Sequence, residues 1–576
     1  MKRLLGLMLA VLMAALPPLA AYAAAPGGRL VSSPTLIDTD GSDGYTGDYV
    51  VVYNPATDAS SSLSTGNMAG LIETEVGAKQ AAPKANADTP YMRDVDAELM
   101  ELAKARGLSA EAVGPEPEKT SYNVGDTKTF LIMNYSPGGM LLQFKVLYKS
   151  EHAYVWTPTS TDPNMHPLDA IDPSYAQMAA EMFDSKYDLM RSSFGEHDNG
   201  SSGDGRLNLL YYNIDDGWEL GQGYIGGYFY ALDLYTAGMP VLNIDTYPGV
   251  HYTNAAGEEI SDISRTYSTI VHEYQHLICY SQCGAADTWI NECMSAAAEE
   301  ICFPGSSVYP RIQSWTDHYY SETQDWATPP EEVEYIPDFE LENGYSMYDW
   351  SNDLPVDDLL VLYAQVSLFA QYLYSRFGNT VFHAIMDNMS NGGGLSAANS
   401  FQDICQAATG MDPSTLVKNF RVALTANTAP DEYGGIYSFS MQEGYDPADY
   451  HGVNDLYSLL CPVVFTGNSC SIKGGGAICI KPVGGVYYPP SGASGGLVYI
   501  GVTRNPVPDV QHIAGDVDLN GHVDSLDALL LMRYVMGMAE LSSAQLAVAD
   551  FNGDGTINSL DALELMRFAM GLFGAV

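Results

Sequence analysis

The pentad His272-Glu273-Tyr274-Gln275-His276 constrains this chain more than any other stretch of it. On a helix, residues four apart share a face about 6 Å from one another, so His272 and His276 can offer two imidazole nitrogens to one ion. Glu273, one residue round from the first of them, can reach a water on that ion and take its proton. A catalytic zinc normally keeps three protein ligands and leaves its fourth position to water, so a third ligand is required. The extended pattern with Gly and His three and six residues after the second His is closed, because Cys279 and Gln282 stand there. A carboxylate on a following helix is the remaining source. Glu292, in Trp289-Ile290-Asn291-Glu292, follows His276 with fifteen residues between. Glu299 is its rival, seven residues on and back on roughly the same face. Seven residues span about 10.5 Å of helix, so the two cannot both ligate one zinc directly.

His272 to Ile278 (HEYQHLI), followed by WINE and a run of small residues, resembles the gluzincin metallopeptidases, most closely their hyicolysin-like branch. The resemblance implies an α+β, zincin-like catalytic domain with a small twisted sheet and an HExxH helix. It also implies zinc held by His272, His276 and Glu292, with Glu273 as general base; Glu299 is then expected behind a ligand. The order of elements agrees: a helix over Tyr175 to Ser192, strands at Leu207–Tyr212 and Val241–Asp245, and a segment Ile225–Tyr230 before the pentad. In gluzincins one sheet edge takes the substrate backbone as an added strand. Gly226-Gly227 would admit a second backbone there, or mark a bulge. Leu359 to Asn388 is rich in helix formers and resembles the helix after the zinc site, which implies a Tyr363 phenol donating to the oxyanion. Core packing is the other reading of Tyr363.

Composition narrows the partners. Asp and Glu number 71 against 25 Lys and Arg, a balance that disfavours nucleic acid and anionic membranes and favours divalent cations. Lys2-Arg3, an apolar run from Leu4 to Leu16, and Ala21-Tyr22-Ala23 read as an export signal cut after Ala23 or Ala25. The run is too short for an anchor, so a secreted, extracellular protein is expected. The eight cysteines, Cys279, Cys283, Cys293, Cys302, Cys405, Cys461, Cys470 and Cys479, are even in number. They permit roughly a hundred full pairings, among which sequence cannot choose. Cys279 and Cys283 lie on or beside the helical face of His276. They read as a disulfide or buried thiols, with alternative metal ligands as the lesser option.

Gly515–Gly537 and Ala549–Gly571 are one unit repeated at a period of 34, identical at twelve of 23 aligned positions. Each opens with an EF-hand-like set of oxygen ligands. In the first these are Asp516, Asp518, Asn520, Asp524 and Asp527, and in the second Asp550, Asn552, Asp554, Asn558 and Asp561. Gly521 and Gly555 take the sharp turn, and the ligand type and spacing specify calcium. Asp closes each loop where EF-hands have Glu, and a helix follows each loop but none precedes it. The pair resembles a type I dockerin, the all-α module through which cellulosomal enzymes bind cohesins on a scaffold. That resemblance implies cohesin contacts by Ser525, Leu526 and Arg533, and equally by Ser559, Leu560 and Arg567.

The expected organisation is a signal peptide over 1–25, an extension or pro-segment over 26–118, and a small β unit over 119–165. A catalytic domain over 166–430, a β-rich accessory region over 431–510 and a dockerin over 513–576 complete it. The strand-like run Asp48–Tyr53 reads as part of the extension, or as a strand that joins a later sheet. A helix is expected near Val95–Arg106. The function expected from these features is a secreted zinc endopeptidase acting on protein and tethered through a cohesin. No GxMEN segment is present to hold a free amino terminus, as an aminopeptidase of this kind would need. The rival from another class is a non-catalytic scaffold-attached module that binds polysaccharide or protein. A glycoside hydrolase, suggested by the dockerin alone, has no support elsewhere in the chain.

Overall fold

The computed structural model describes residues 35–73, 91–93, 121–132, 140–159, 170–218, 223–254, 257–284, 286–303, 319–320, 336–337, 344, 346–350, 356–391, 400–428, 432–439 and 464–504. Of the carboxyl-terminal repeat it describes 515, 517, 523, 525–536, 539, 541, 543–552 and 557–569. The signal peptide and the helix expected near Val95–Arg106 lie outside these residues, as do Cys461 and the loop residues Asp516, Asp518, Asn520, Gly521, Asp524, Asp554 and Gly555. Helices and strands are mixed, in an α+β arrangement.

The described chain opens with β1 (Leu36–Asp38) and β2 (Tyr49–Tyr53), followed by the short β3 (Tyr91–Arg93). Strands β4 (Thr127–Ile132), β5 (Met140–Lys149) and β6 (Ala153–Pro158) form a meander. Helix α1 (Pro173–Phe194) starts on Asp172, whose carboxylate accepts from the Ser174 and Tyr175 backbone N–H groups, with Pro173 suited to its first turn. Strand β7 (Leu207–Tyr212), the broken pair β8 (Gly223–Ile225) and β9 (Gly227–Phe229), and β10 (Val241–Asp245) follow. Strands β4 to β7, β9 and β10 make one six-stranded sheet, ordered β9-β10-β7-β6-β5-β4.

This sheet corrects the expectation of a separate β unit over 119–165. Ala153–Trp156 pairs in parallel with Leu207–Leu210, so the hydrogen-bond ladder runs unbroken from the meander into the strands beneath the pentad. All six residues of β6 and all six of β7 are buried, as a central pair covered on both faces must be. At the far edge β9 pairs antiparallel with β10. Gly227 is required there: a Cβ would stand 2.7 Å from the Asn243 carbonyl and 2.8 Å from a methyl of Thr269. The close approach that this glycine permits is therefore to the chain's own sheet and helix. Strand β8 pairs in parallel with β3, which comes from the amino-terminal extension.

Beyond the sheet lie α2 (Tyr267–Cys283), α3 (Thr288–Cys302), α4 (Val356–Phe377), α5 (Thr380–Asn391) and α6 (Pro413–Ala426). The helical run expected from Leu359 to Asn388 is two helices. Gly378, at φ +70°, closes α4 by donating from its N–H to the Tyr374 carbonyl. Helix α2 is buried along its length, packed between α1, β9 and α3 in the main apolar core.

The extension and the accessory region also share a sheet. Strand β2 lies between β11 (Ala477–Ile480) and β12 (Val498–Thr503), with β1 on the outer side of β12. A boundary between residues 26–118 and 431–510 as separate units does not survive this pairing. Of the two readings of Asp48–Tyr53, the strand in a later sheet is the one found. Val51, Ile500 and Val502 on one face pack with Val422 and Ala426 of α6, and the Tyr53 hydroxyl donates to the Ser414 carbonyl. Arg421, buried in α6, donates to the Gly475 carbonyl and the Gln365 side chain, and Lys473 pairs with Asp349. Among the described residues no helix is long and apolar enough to cross a membrane.

The sheet encloses a polar chain next to the β9 edge. Tyr212 and Tyr228 share a hydroxyl hydrogen bond of 2.6 Å, Tyr212 donates to Asn243 Oδ1, and Asn243 Nδ2 donates to Asp233 at 3.2 Å. Burial pushes the Asp233 carboxyl up to about 7. A folded pKa above the unfolded value means that Asp233 contributes full stability below about pH 4 and loses it as pH rises through about 7, by at most on the order of 4 kcal/mol. Asp233→Asn removes the ionisation. Its melting temperature should therefore gain on that of the parent between pH 4 and pH 8 in calorimetric scans, and a constant difference would contradict the buried acid.

Candidate metal centre

Helices α2 and α3 pack side by side, and the seam between them carries the polar side chains of both. His272 and His276 project from successive turns of α2, their rings 4.8 Å apart and nearly perpendicular. Glu292 comes from the first turns of α3. Its Oε2 stands 3.4 Å from His272 Nε2 and 3.8 Å from His276 Nε2. Among the described residues these three form the one grouping of metal-binding side chains, with ligand atoms within 4.8 Å of one another and all three residues buried. Ligand atoms at about 2.0–2.2 Å from a tetrahedral zinc stand about 3.3–3.6 Å apart, so two imidazoles and a carboxylate at these separations fit that ion. Without a cation, a buried carboxylate facing two imidazole edges would be costly to desolvate.

The rest of the seam orients these groups. Glu299 Oε1 lies 2.8 Å from His272 Nδ1. A carboxylate there only accepts, so Nδ1 carries the proton and Nε2 turns its lone pair toward Glu292. This separates the roles of the two carboxylates that sequence left in competition. Glu292 meets the Nε2 atoms of both rings, and Glu299 meets the far nitrogen of one. Ser295, one turn after Glu292, stands beside His276 and Gln275. Neither Ser295 nor Gln275 stands out in the sequence, because their places become apparent only when α3 is packed against α2.

Glu273 is 2 % exposed, and its Oε2 accepts from the Phe229 backbone N–H at 2.8 Å. Phe229 belongs to β9, the edge strand, so the sheet edge sets the orientation of this carboxylate. Tyr274 points the other way: its hydroxyl lies 2.9 Å from Nδ1 of His197, whose pKa burial lowers to about 4, leaving a neutral ring. Tyr363 is buried in α4 with its ring edge-on to Trp350 at 4.9 Å.

Cys279, Cys283, Cys293, Cys302, Cys405 and Cys470 are free thiols. Cys279 and Cys283 lie one turn apart on α2 with sulfurs 3.9 Å apart, and contact with Cys283 and burial push the Cys279 thiol up. Neither belongs to the grouping of His272, His276 and Glu292.

In the carboxyl-terminal region, α7 (Ser525–Val535) and α8 (Ser559–Ala569) pack through Ala528, Leu531, Ala562 and Leu565. Asp527 and Asp561 are fully buried at their starts. Asp561 accepts from the backbone N–H groups of Asn552 and Asn558, folding its loop back onto the helix. Asp550 is also described, while the remaining loop positions are not. Ser525, Leu526 and Arg533, and their counterparts Ser559, Leu560 and Arg567, are all exposed.

Residues 514–568 match the family model of the dockerin type I domain. The chain carries a type I dockerin. Over 337 residues the chain is 27 % identical to the neutral metalloprotease ShpI of Staphylococcus hyicus, a match covering 55 % of this chain and 66 % of that protein. The chain thus spans just under two thirds of that relative's length. The dockerin and the metalloprotease-like segment together agree with the two resemblances carried by the pentad and by the repeat.

The geometry makes the two carboxylates separable. Glu292→Ala should abolish binding of a stoichiometric zinc ion, and Glu299→Ala should retain the site with affinity weakened by about 10–100-fold. Metal content after gel filtration in excess calcium measures both. Full occupancy in Glu292→Ala together with loss in Glu299→Ala would reverse the assignment.

Proposed function

We propose that this chain is a secreted zinc endopeptidase that cleaves protein substrates while held on a cohesin-bearing scaffold by its dockerin. The observation that carries this reading is the meeting of His272, His276 and Glu292 at one buried point, with Glu273 beside them and fixed by the sheet edge. Zinc bound there supplies a Lewis acid for the peptide carbonyl and makes a water acidic enough to lose its proton near neutral pH. Glu273 takes that proton and delivers it to the departing amine, and the Phe229 N–H holds one of its oxygens for both transfers. Glu299 keeps the His272 proton on Nδ1. Strand β9 offers an edge along which an extended peptide can lie. The Tyr363 phenol is assigned here to the oxyanion, on the resemblance of its helix. The similarity to a neutral metalloprotease supports the reaction class, and export fits the amino-terminal signal.

The dockerin supplies the partner. The calcium ligands in this reading are Asp516, Asp518, Asn520, Asp524 and Asp527, and Asp550, Asn552, Asp554, Asn558 and Asp561. Calcium orders the two loops, and the exposed Ser-Leu and Arg of each repeat form two equivalent faces toward a cohesin. The acidic surface suits calcium and disfavours nucleic acid and anionic membranes.

Removing the base without removing a ligand tests the chemistry. Glu273→Gln should bind zinc like the parent while casein hydrolysis falls by roughly three orders of magnitude or more. A chelator should abolish hydrolysis by the parent, and added zinc should restore it. Hydrolysis that survives both the substitution and the chelator would rule out this mechanism and favour a non-catalytic module with a contaminating protease.

A further inference from the structure

We propose that Tyr280 and Tyr235, with the ring of Phe229, form a substrate subsite beside the metal centre that takes an apolar, preferably aromatic, side chain next to the scissile bond. The proposal rests on the reading of this chain as a zinc endopeptidase and deepens it. Helix geometry places Tyr280. Each residue of α2 advances about 100° around its axis, so from His272 the directions are about 100° for Glu273, about 40° for His276 and about 80° for Tyr280. Tyr280 therefore shares the face that carries the second ligand and the base, about 6 Å further along the axis than His276. Thr269, at about 60°, lies on that face as well.

Strand β9 follows the same face. A Cβ on Gly227 would stand 2.8 Å from the Thr269 methyl, the Phe229 N–H donates to Glu273 at 2.8 Å, and the Phe229 ring lies 5.9 Å from the Tyr280 ring, tilted by 55°. The residue whose backbone fixes the base thus also carries one wall of the aromatic group. After Phe229 the chain enters the single helical turn Asp233–Thr236, which brings Tyr235 beside Tyr280. Burial, with the Tyr235 hydroxyl next to it, pushes the Tyr280 phenol up to about 12, so this ring is uncharged at neutral pH. Exposure marks where the group opens. Every residue from Thr269 to Cys279 is buried, and Tyr280 is the next residue of α2 and only partly so. Phe229 is 6 % exposed, whereas Tyr235 is 37 % exposed. The aromatic surface therefore runs from the buried base out to solvent, as a subsite reached by a peptide must. Rings bury a large apolar area and favour tilted or edge contacts with other rings, which suits a Phe or Tyr side chain and, by area alone, Leu.

The test is cleavage by the zinc- and calcium-loaded full chain of a peptide library in which each position flanking the scissile bond is varied in turn. It is followed by kcat/KM for matched peptides with Phe or Ala at the preferred position. The parent should favour Phe, Tyr or Leu at one flanking position. Tyr235→Ala should lower the Phe-to-Ala ratio of kcat/KM about tenfold while its zinc content stays that of the parent. Tyr280→Ala should lower the ratio at least as far, and Tyr280→Phe, which keeps the ring, should preserve it. A packing role alone would lower both rates together, so an unchanged ratio in Tyr235→Ala would overturn the proposal. Should Tyr280→Ala fail to fold, Tyr235→Ala decides alone, because it alters an exposed ring. A parent that cleaves with no preference for apolar side chains would overturn the subsite and leave the endopeptidase reading standing. A parent that cleaves no peptide, or whose hydrolysis survives a chelator, would remove that reading and the subsite with it.

Discussion

The structure depends on burying a set of ionisable side chains between two helices and giving each of them a partner. His272, Glu273, His276, Glu292 and Glu299 are each at most 4 % exposed, in a seam walled by apolar residues of α1, α2 and α3. An isolated charge in such a place costs several kcal/mol, so each group must be held by an opposite charge, a hydrogen bond or an ion. Glu273 has the Phe229 N–H, His272 has Glu299, and His276 has Ser295. Glu292 faces the two imidazoles. In the proposed reading a divalent cation completes this balance, and the surrounding core keeps water from relaxing it.

The scaffold around the seam follows from this demand. Strand β9 must come close enough to α2 to offer its backbone to Glu273, which is why Gly227 has no room for a side chain. Under that edge, Tyr212, Tyr228, Asn243 and Asp233 form a second enclosed polar chain, so the region next to the site is stiff and dry. On the other side, α6 is clamped by the sheet in which β2 lies between β11 and β12, through Tyr53, Arg421 and strand β2. An amino-terminal strand that fills the middle of that sheet is part of the fold, and its removal would expose the apolar faces of both neighbours.

What sequence made legible was local. The spacing of His272 and His276, the placing of Glu292 one helix later and the repeat of calcium-loop residues are all fixed by helix and loop geometry within a few dozen residues. What it left hidden was non-local. Nothing near Tyr49–Tyr53 announces partners more than four hundred residues away, and nothing in Ala153–Trp156 announces a parallel partner across α1. The break at Gly378 is signalled locally, by a Gly followed by Asn379 and Thr380 where one helix stops and the next is capped, but the expected helical run was carried across it. The choice of Glu292 over Glu299 came from the resemblance and not from periodicity, since both fall on one helical face and only the approach of α3 to α2 decides which ring nitrogen each meets. Ser295 escaped notice for a related reason, as a serine in a run of small residues reads as packing until its neighbours across the seam are known.

The central claim is that two imidazoles and a carboxylate, with no thiol, hold the ion. X-ray absorption at the zinc edge on the calcium-saturated full chain tests it most directly, because sulfur and nitrogen or oxygen scatterers are readily told apart. The account predicts a first shell of nitrogen and oxygen alone at about 2.0–2.2 Å, with the outer-shell pattern of two imidazoles. A sulfur shell at about 2.3 Å would put the ion on the cysteines of α2 or α3 and contradict it.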